Sequence, residues 1–163
     1  MNTRVDPDSL SPDKPLGIAV LAMGGQGGGV LADWIVALAE SQGWIAQTTS
    51  VPGVAQRTGA TIYYIEVLRP RPGRHPVLSL MPTPGDVDII LAAEWMEAGR
   101  SVLRGLATPD KTVLIASTHR TYSVVEKVDG GDGAGDSSVV TEAADFAAKR
   151  VIAFDMEALA AKN

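Results

Sequence analysis

The amino-acid sequence predicts an α/β fold: a Rossmann-like, three-layer domain with a mostly parallel sheet that carries an antiparallel edge. Short apolar runs alternate along the 163 residues with segments of helical period, which is typical of buried strands joined by crossover helices. Hydrophobic residues make up 45% of the chain, enough for one core without disulfides. We expect a single domain at 16–163, after a flexible leader at 1–15 in which three prolines interrupt any hydrophobic period.

The first unit is a strand, a glycine turn and a helix. Residues 17–22 form a short apolar run, which fits a strand buried on both faces. Five glycines follow the run, and apolar residues then recur at helical spacing from 30 to 41, where Gly43 ends the helix. Residues 44–50 alternate after this stop and predict a second strand.

The middle of the chain holds the strongest strand signal. β-Branched and aromatic residues fill positions 60–68, and a segment rich in Pro and Arg at 69–73 ends this strand. We expect a short strand at 77–81 to return antiparallel to it, because the turn between them is too brief for a parallel crossover. The sheet is therefore predicted to be mixed.

The second half of the chain returns to alternating strands and helices. Residues 129–136 are small and acidic without an apolar anchor, so they predict a solvated surface loop. The predicted strands lie at 87–92, 112–117 and 151–154, and the predicted helices lie at 94–106, at 137–149 and after Asp155.

Composition argues against several classes of function. A net charge of −5 disfavours binding to nucleic acid, whose partners concentrate Lys and Arg on one face. The chain contains no Cys, so it can hold neither a disulfide nor an iron–sulfur cluster on thiolates. No apolar run approaches the roughly 20 residues that span a bilayer, and we expect a cytoplasmic protein that does not bind membranes. Two isolated His residues predict no metal site.

The glycine turn has two interpretations. It could bring backbone N–H groups at a helix N-terminus close to a phosphate, or it could serve only tight packing of the turn. The dinucleotide fingerprint fails, because Ala22 occupies its first glycine position and no acidic residue ends the second strand at 48–50. A Gly-Lys-Ser/Thr sequence is also absent, which excludes the P-loop of nucleotide triphosphate sites.

Two further segments are candidates for binding. Arg57 lies in a loop at 51–59 that is punctuated by Pro and Gly, so it either faces a ligand or partner or pins its own loop. Residues 117–120 follow a buried strand at the carboxyl end, where open α/β sheets bind ligands, although Ser117 or Thr118 could simply cap a helix. No pair of acid/base residues is evident, and we assign no catalytic residue.

Three segments together resemble a known family. They are Ala22–Gly29, Ser50–Gly59 and Ala92–Ala98, and they are similar to the gamma domain of the pyruvate/ketoisovalerate:ferredoxin oxidoreductase family. Within that family the indolepyruvate ferredoxin oxidoreductase beta subunit is the most similar type. The resemblance covers 17 to about 159, and the glycine turn paired with the Gln-Arg-x-Gly loop is more specific than either motif alone.

The resemblance implies a non-redox accessory subunit or domain, inactive alone, of a complex that acts on the oxo group of a 2-oxoacid. Such a complex decarboxylates an arylpyruvate such as indolepyruvate on thiamine diphosphate, passes electrons through iron–sulfur clusters to ferredoxin, and forms acyl-CoA and CO2. The thiamine and the clusters would lie on a partner subunit, and CoA would approach a shared cleft. The residues of this chain that would face that cleft as a cofactor-binding set are Gly24, Gly25, Gln26, Gly27, Gln56, Arg57 and Gly59.

Two departures from the family pattern qualify these expectations. Ala22 stands where many members have Gly, which disfavours phosphate binding by the turn. The chain also stops at Asn163, before the closing helix that the family domain usually carries, and we expect a domain that is incomplete at its C-terminal end. The alternative function is a free-standing module that binds CoA or a nucleotide phosphate.

Overall fold

A computed structural model describes residues 14–52, 60–73, 76–122 and 136–162. Within these ranges the chain forms six strands and four helices. The elements in chain order are β1 (Leu16–Met23), α1 (Gly28–Ser41), β2 (Ile45–Pro52), β3 (Ala60–Leu68), β4 (Ile89–Ala92), α2 (Trp95–Leu103), β5 (Val113–Ser117), α3 (Ser137–Ala147), β6 (Arg150–Phe154) and α4 (Met156–Ala160).

The strands form one sheet in the order β2-β3-β1-β4-β5-β6. β1, β4, β5 and β6 are parallel neighbours, whereas β3 runs antiparallel to both β1 and β2. The predicted Rossmann-like α/β class, with a mostly parallel sheet and an antiparallel region at one side, is confirmed. The antiparallel strand itself is β3, which lies second from the edge.

The predicted strand at 77–81 is wrong, because residues 76–82 adopt no strand. Both backbone edges of β3 are already paired, with β1 and with β2, so no ladder groups remain for another strand. Side chains hold this segment instead. Gln47 Nε2 donates to the carbonyl oxygen of Ser79 at 3.1 Å, and Thr49 Oγ1 donates to that of Leu80 at 2.7 Å.

Helices cover both faces of the sheet and create two core clusters. α1 lies against β1, β2 and β3, where Val20 and Ile65 are buried. α2 and α3 pack together on the opposite face, over Leu21, Ile90 and Leu114. β1 is therefore buried on both sides, as its continuous apolar sequence predicts.

On the face of the sheet that carries α1, strands β4, β5 and β6 are only partly covered. On the opposite face Ile90 and Leu114 are fully buried. The register of the three strands brings a second apolar set to the α1 face, and each of its members is only half-buried: Ile89, Leu91, Val113, Ile115 and Ile152.

Some of the apolar residues whose spacing predicts α1 are exposed to solvent. Trp34 is 68% exposed, Leu38 is 65% exposed and Leu31 is 38% exposed, whereas Gly28 and Ala32 are buried. The fully buried residues of α1 are small, because the helix starts very close to the sheet, while Ile35 and Val36 pack half-buried against the same core. α1 therefore presents an apolar stripe on a second side, away from the core.

Ion pairs fix the amino-terminal edge of the sheet. Asp88 Oδ2 accepts the N–H of Gly17 at 2.9 Å, which joins the loop before β4 to β1. Lys111 Nζ lies 2.7 Å from Asp86 Oδ1 and 3.1 Å from Asp88 Oδ1, and Lys14 also contacts Asp86. Hydrogen bonds from Lys111 and Lys14 lower the pKa of the Asp86 carboxyl. Asp86 and Asp88 thus stabilise the fold at the edge of the sheet opposite the glycine turn.

Candidate ligand cleft at the carboxyl edge of the sheet

The turn between β1 and α1 is closed by its own residues. Gly25 has a φ of 88° and Gly27 a φ of 74°, in the left-handed region that glycine adopts at no steric cost. The N–H of Gln26 donates to the Met23 carbonyl oxygen at 3.1 Å, and Gln26 Oε1 accepts the N–H of Met23 at 2.8 Å. The turn is therefore defined without a ligand.

Gly28 brings α1 into direct contact with the sheet. A Cβ at this position would lie 2.6 Å from Ala22 Cβ and 2.8 Å from Tyr63 Cε2, closer than real Cβ atoms approach. A Cβ at Gly24 would meet nothing within 4 Å. Tight packing therefore explains Gly28, and left-handed backbone explains Gly25 and Gly27, whereas Gly24 has neither requirement.

A cleft of about 320 Å³ opens beside this turn, at the carboxyl ends of β1 and β4. The connection from β1 leads through α1 toward β2, whereas the connection from β4 leads through α2 on the other face toward β5. Such a reversal of strand order is where open α/β sheets bind ligands. The strands and the residue after β4 form its floor, the turn and α1 form one wall, and His119 with the start of α4 forms the opposite wall. The lining residues are Val20, Leu91, Ala92 and Ala93 in the floor, Gln26, Gly28 and Leu31 in the α1 wall, and His119, Met156 and Glu157 in the opposite wall.

Hydrogen bonds fix the wall opposite α1. His119 Nε2 lies 2.7 Å from Glu157 Oε2. The buried Ser117 Oγ accepts the N–H of His119 at 3.3 Å and that of Met156 at 3.2 Å. Ser117 thus binds the first residue of α4, whose N-cap is Asp155, and no helix follows Ser117 or Thr118 within 118–122. His119 lines the cleft.

Sequence reasoning did not single out Met156 and Glu157 for the cleft. The signal was present, because Asp155 predicted a helix after a buried strand, and carboxyl ends of parallel strands meet at one edge of the sheet. Asp155 Oδ1 accepts the N–H of Ala158 at 2.9 Å and caps α4 as expected. The first turn of α4 therefore reaches the same edge as the glycine turn.

Among the predicted site residues, Gln26 lines the cleft, and Gly24, Gly25 and Gly27 form the turn at its rim. Gln56, Arg57 and Gly59 lie outside the described residues. The residues that flank their loop are described. Pro52 pairs with Thr61, and Ala60 pairs with Met23, so the loop leaves and re-enters the sheet at the edge where the glycine turn begins.

Two buried carboxylates at the start of α2 were not identified from the sequence, since fully buried Glu is rare. Glu94 and Glu97 are each 1% exposed. Burial raises the pKa of both carboxyl groups, although Arg120 opposes this rise at Glu94 and Arg100 opposes it at Glu97. Glu97 Oε2 has no hydrogen-bond partner within the part of the chain that the structure describes.

The residues of this chain do not fit an iron–sulfur cluster on thiolates, because the sequence lacks Cys. The described ranges also bring together no group of three or more His, Asp or Glu that could hold a metal ion. No helix in those ranges is both long and apolar enough to cross a bilayer.

Comparison with known proteins identifies one family. The model of the family described as pyruvate ferredoxin/flavodoxin oxidoreductase matches residues 17–163. No curated protein matches the chain.

Solved structures are similar in fold. Pyruvate oxidoreductase subunit PORC from Thermotoga maritima superposes with a TM-score of 0.59 at 15% identity, over 91% of this chain and 66% of that one. The 2-oxoglutarate:ferredoxin oxidoreductase from Magnetococcus marinus, solved with 2-oxoglutarate, coenzyme A and succinyl-CoA bound, gives 0.53 at 17% identity, over 87% of this chain and 20% of that one. The chain thus spans about two thirds of the first protein and one fifth of the second.

Proposed function

We propose, on the premise that the chain belongs to the pyruvate ferredoxin/flavodoxin oxidoreductase family, that it is a non-redox subunit or domain of a 2-oxoacid:ferredoxin oxidoreductase. Its substrate class is an arylpyruvate such as indolepyruvate, which the complex converts to acyl-CoA and CO2. Thiamine diphosphate and the iron–sulfur clusters belong to a partner subunit, which passes electrons to ferredoxin. The absence of Cys in this chain supports the placement of the iron–sulfur clusters on a partner subunit.

One observation carries the proposal: the glycine turn begins at the same edge of the sheet as the two residues that flank the loop at 53–59, Pro52 and Ala60. Met23 immediately precedes the glycine turn and pairs with Ala60, which immediately follows that loop. In sequence the two motifs are about 30 residues apart, yet the register of β1, β2 and β3 joins their ends. A cleft shared with a partner subunit is the arrangement that this proximity supports.

The proposed ligand of this chain is CoA, approaching along the cleft. The volume of about 320 Å³ lies at the low end of the roughly 300–1,000 Å³ of small-molecule sites, so it suits one part of a larger ligand. Leu31, Leu91 and Met156 offer apolar contacts to an extended arm. Arg57 is the proposed cation for a phosphate, because an anion needs a local positive group on a chain of net charge −5.

A free-standing phosphate-binding module has weaker support. Left-handed backbone at Gly25 and Gly27 and close packing at Gly28 each require glycine for structural reasons. These glycines are therefore explained without a phosphate at the turn. A helix N-terminus alone does not identify a ligand.

The exposed stripe of α1 is the proposed contact with the partner subunit. Trp34 and Leu38 expose about two thirds of their surface each. Large exposed apolar patches on monomers often mark protein interfaces, and Trp is enriched among residues that dominate binding energy.

Substitution of Arg57 in the assembled complex tests the proposed CoA role. We expect Arg57→Ala to raise the KM for CoA roughly tenfold or more, since a charge-assisted hydrogen bond contributes about 1.5–3 kcal/mol, with the KM for the 2-oxoacid unchanged. Lys149→Ala, at an exposed cation just before β6 and so at the opposite edge of the sheet, is the matched control. An unchanged KM for CoA in Arg57→Ala would contradict the role of this loop.

A further inference from the structure

The segment Ala92–Ala98 carries part of the family resemblance, yet its Glu94 lines no wall of the cleft. Glu94 lies two residues after the end of β4 and is the N-cap of α2, where its Oε2 accepts the N–H of Glu97 at 3.1 Å. Capping needs only a short polar side chain, and Ser, Thr, Asp and Asn are the usual residues. Burying a carboxylate lowers the stability of the fold unless other contacts compensate. Helix capping alone therefore does not explain why Glu94 is buried here.

That reason lies in the segment after β5. Arg120 Nη1 donates to Glu94 Oε1 at 3.4 Å, and the backbone amide of Thr121 is a further donor to this carboxylate. The main chain adds a third link, because the N–H of Trp95 donates to the carbonyl oxygen of His119 at 3.1 Å. The Glu94 carboxylate, together with the main chain of Trp95, thus holds residues 119–121 against the beginning of α2.

Residues 119–121 in turn contact both sides of the cleft. Thr121 Oγ1 accepts from Gln26 Nε2 at 3.3 Å, which ties this segment to the glycine turn. His119 pairs with Glu157 on α4. A displacement of the segment would therefore move the rim at Gln26 and the wall at His119 together.

We propose that Glu94 is a positioning residue for the cleft: its buried carboxylate holds residues 119–121 so that Gln26 and His119 keep their places around a bound CoA. This inference rests on the proposed function for the identity of the ligand. Glu94 acts through Arg120 and Thr121 and does not itself touch the ligand.

The test compares Glu94→Gln with Glu142→Gln, a control at an exposed carboxylate on α3. Glutamine keeps the size and one oxygen acceptor of Glu94 but removes the charge that faces Arg120. In the isolated chain we expect backbone amide hydrogen exchange at 119–122 to become about tenfold faster, the factor that corresponds to loss of one charge-assisted hydrogen bond. Exchange in α3 should not change, and the control should behave like the unsubstituted chain.

Kinetics of the assembled complex supply the second readout. We expect Glu94→Gln to raise the KM for CoA severalfold while kcat stays within twofold, and Glu94→Asp to be intermediate, because it keeps the charge at a shorter reach. Unchanged exchange at 119–122 in Glu94→Gln overturns the inference. Faster exchange with an unchanged KM for CoA also overturns it, provided that Arg57→Ala raises that KM. If neither variant alters the KM for CoA, the proposed function fails and the inference fails with it.

Discussion

Gly24 and Gly28 belong to the same glycine-rich turn, yet at the residue scale they have different physical requirements. We expect Gly28→Ala to lower the free energy of unfolding by about 1–3 kcal/mol, the usual cost of overpacking, because the new Cβ would collide with Ala22 and Tyr63. Gly24→Ala should change it by less than about 0.5 kcal/mol, since a Cβ there has open space. Urea unfolding of both variants provides the measurement, and equal values would contradict this account of the turn.

Glu97 predicts a pH dependence of stability. Burial raises the pKa of its carboxyl, and the nearby Glu94 raises it further, against Arg100. A carboxyl with a raised pKa in the folded state stabilises the fold below its unfolded pKa, and this contribution is lost as the pH rises through the folded pKa. Glu97→Gln, which does not titrate, should therefore become more stable relative to the unsubstituted chain as the pH rises above the ordinary Glu pKa of about 4.3.

Thermal unfolding at several pH values checks this sign, with Glu142→Gln on the exposed side of α3 as the control. A relative stability of Glu97→Gln that falls over this pH range would contradict the raised pKa.

Residue-level prediction succeeded where a local pattern determines the role. Its place before an apolar segment predicts that Asp155 begins a helix, and in the structure its side chain caps α4. The burial of Glu94 and Glu97 depends on long-range contacts with residues 120 and 121 and on the packing of α2. No local pattern carries that information.

At the scale of elements, α4 forms one wall of the cleft although it is only five residues long. An isolated helix of this length is unstable, so its capping contacts matter. We expect Asp155→Ala to cost about 1 kcal/mol and to accelerate amide exchange in α4. Asp145→Ala, at an exposed position within α3, is the control, and unchanged exchange in α4 would show that Asp155 does not hold the helix.

The alternation of strands and helices was predictable because each element carries its own hydrophobic period. β1, β3 and β5 lie within one residue of their predicted positions. The strand expected at 77–81 does not form, since pairing depends on which ladder edges are free, and β3 has none. The exposure of Trp34 and Leu38 on α1 could not be predicted either. A helical period shows which residues share a side of the helix, but not which sides are covered.

At the scale of the whole molecule, the exposed stripe of α1 predicts assembly with a partner. We expect Trp34→Lys to leave the unfolding free energy within about 0.5 kcal/mol but to weaken binding to the thiamine-bearing subunit at least roughly tenfold, as loss of an aromatic anchor does. Phe146→Lys, at an exposed aromatic residue of α3 on the opposite face, is the matched control. Titration of labelled chain with the partner measures both. Equal affinity of Trp34→Lys and the unsubstituted chain would place the interface elsewhere.

Family membership and fold class were both within reach of the sequence, because the glycine turn and the Gln-Arg-x-Gly loop form a specific pair. The register of β1, β2 and β3 brings Pro52 and Ala60, which flank the second motif, to the edge where the glycine turn begins, and the sequence does not specify that register. Under the proposed function the partner subunit binds the 2-oxoacid, so the arylpyruvate class rests on the family resemblance and not on residues of this chain.

Omission of the chain from the reconstituted enzyme tests the central claim most directly. The thiamine- and cluster-bearing subunit is assayed for CoA-dependent dye reduction with indolepyruvate, with and without this chain. The account predicts that reduction requires the chain and that the chain alone is inactive. An equal rate in its absence would contradict the claim that it is a functional component of the enzyme.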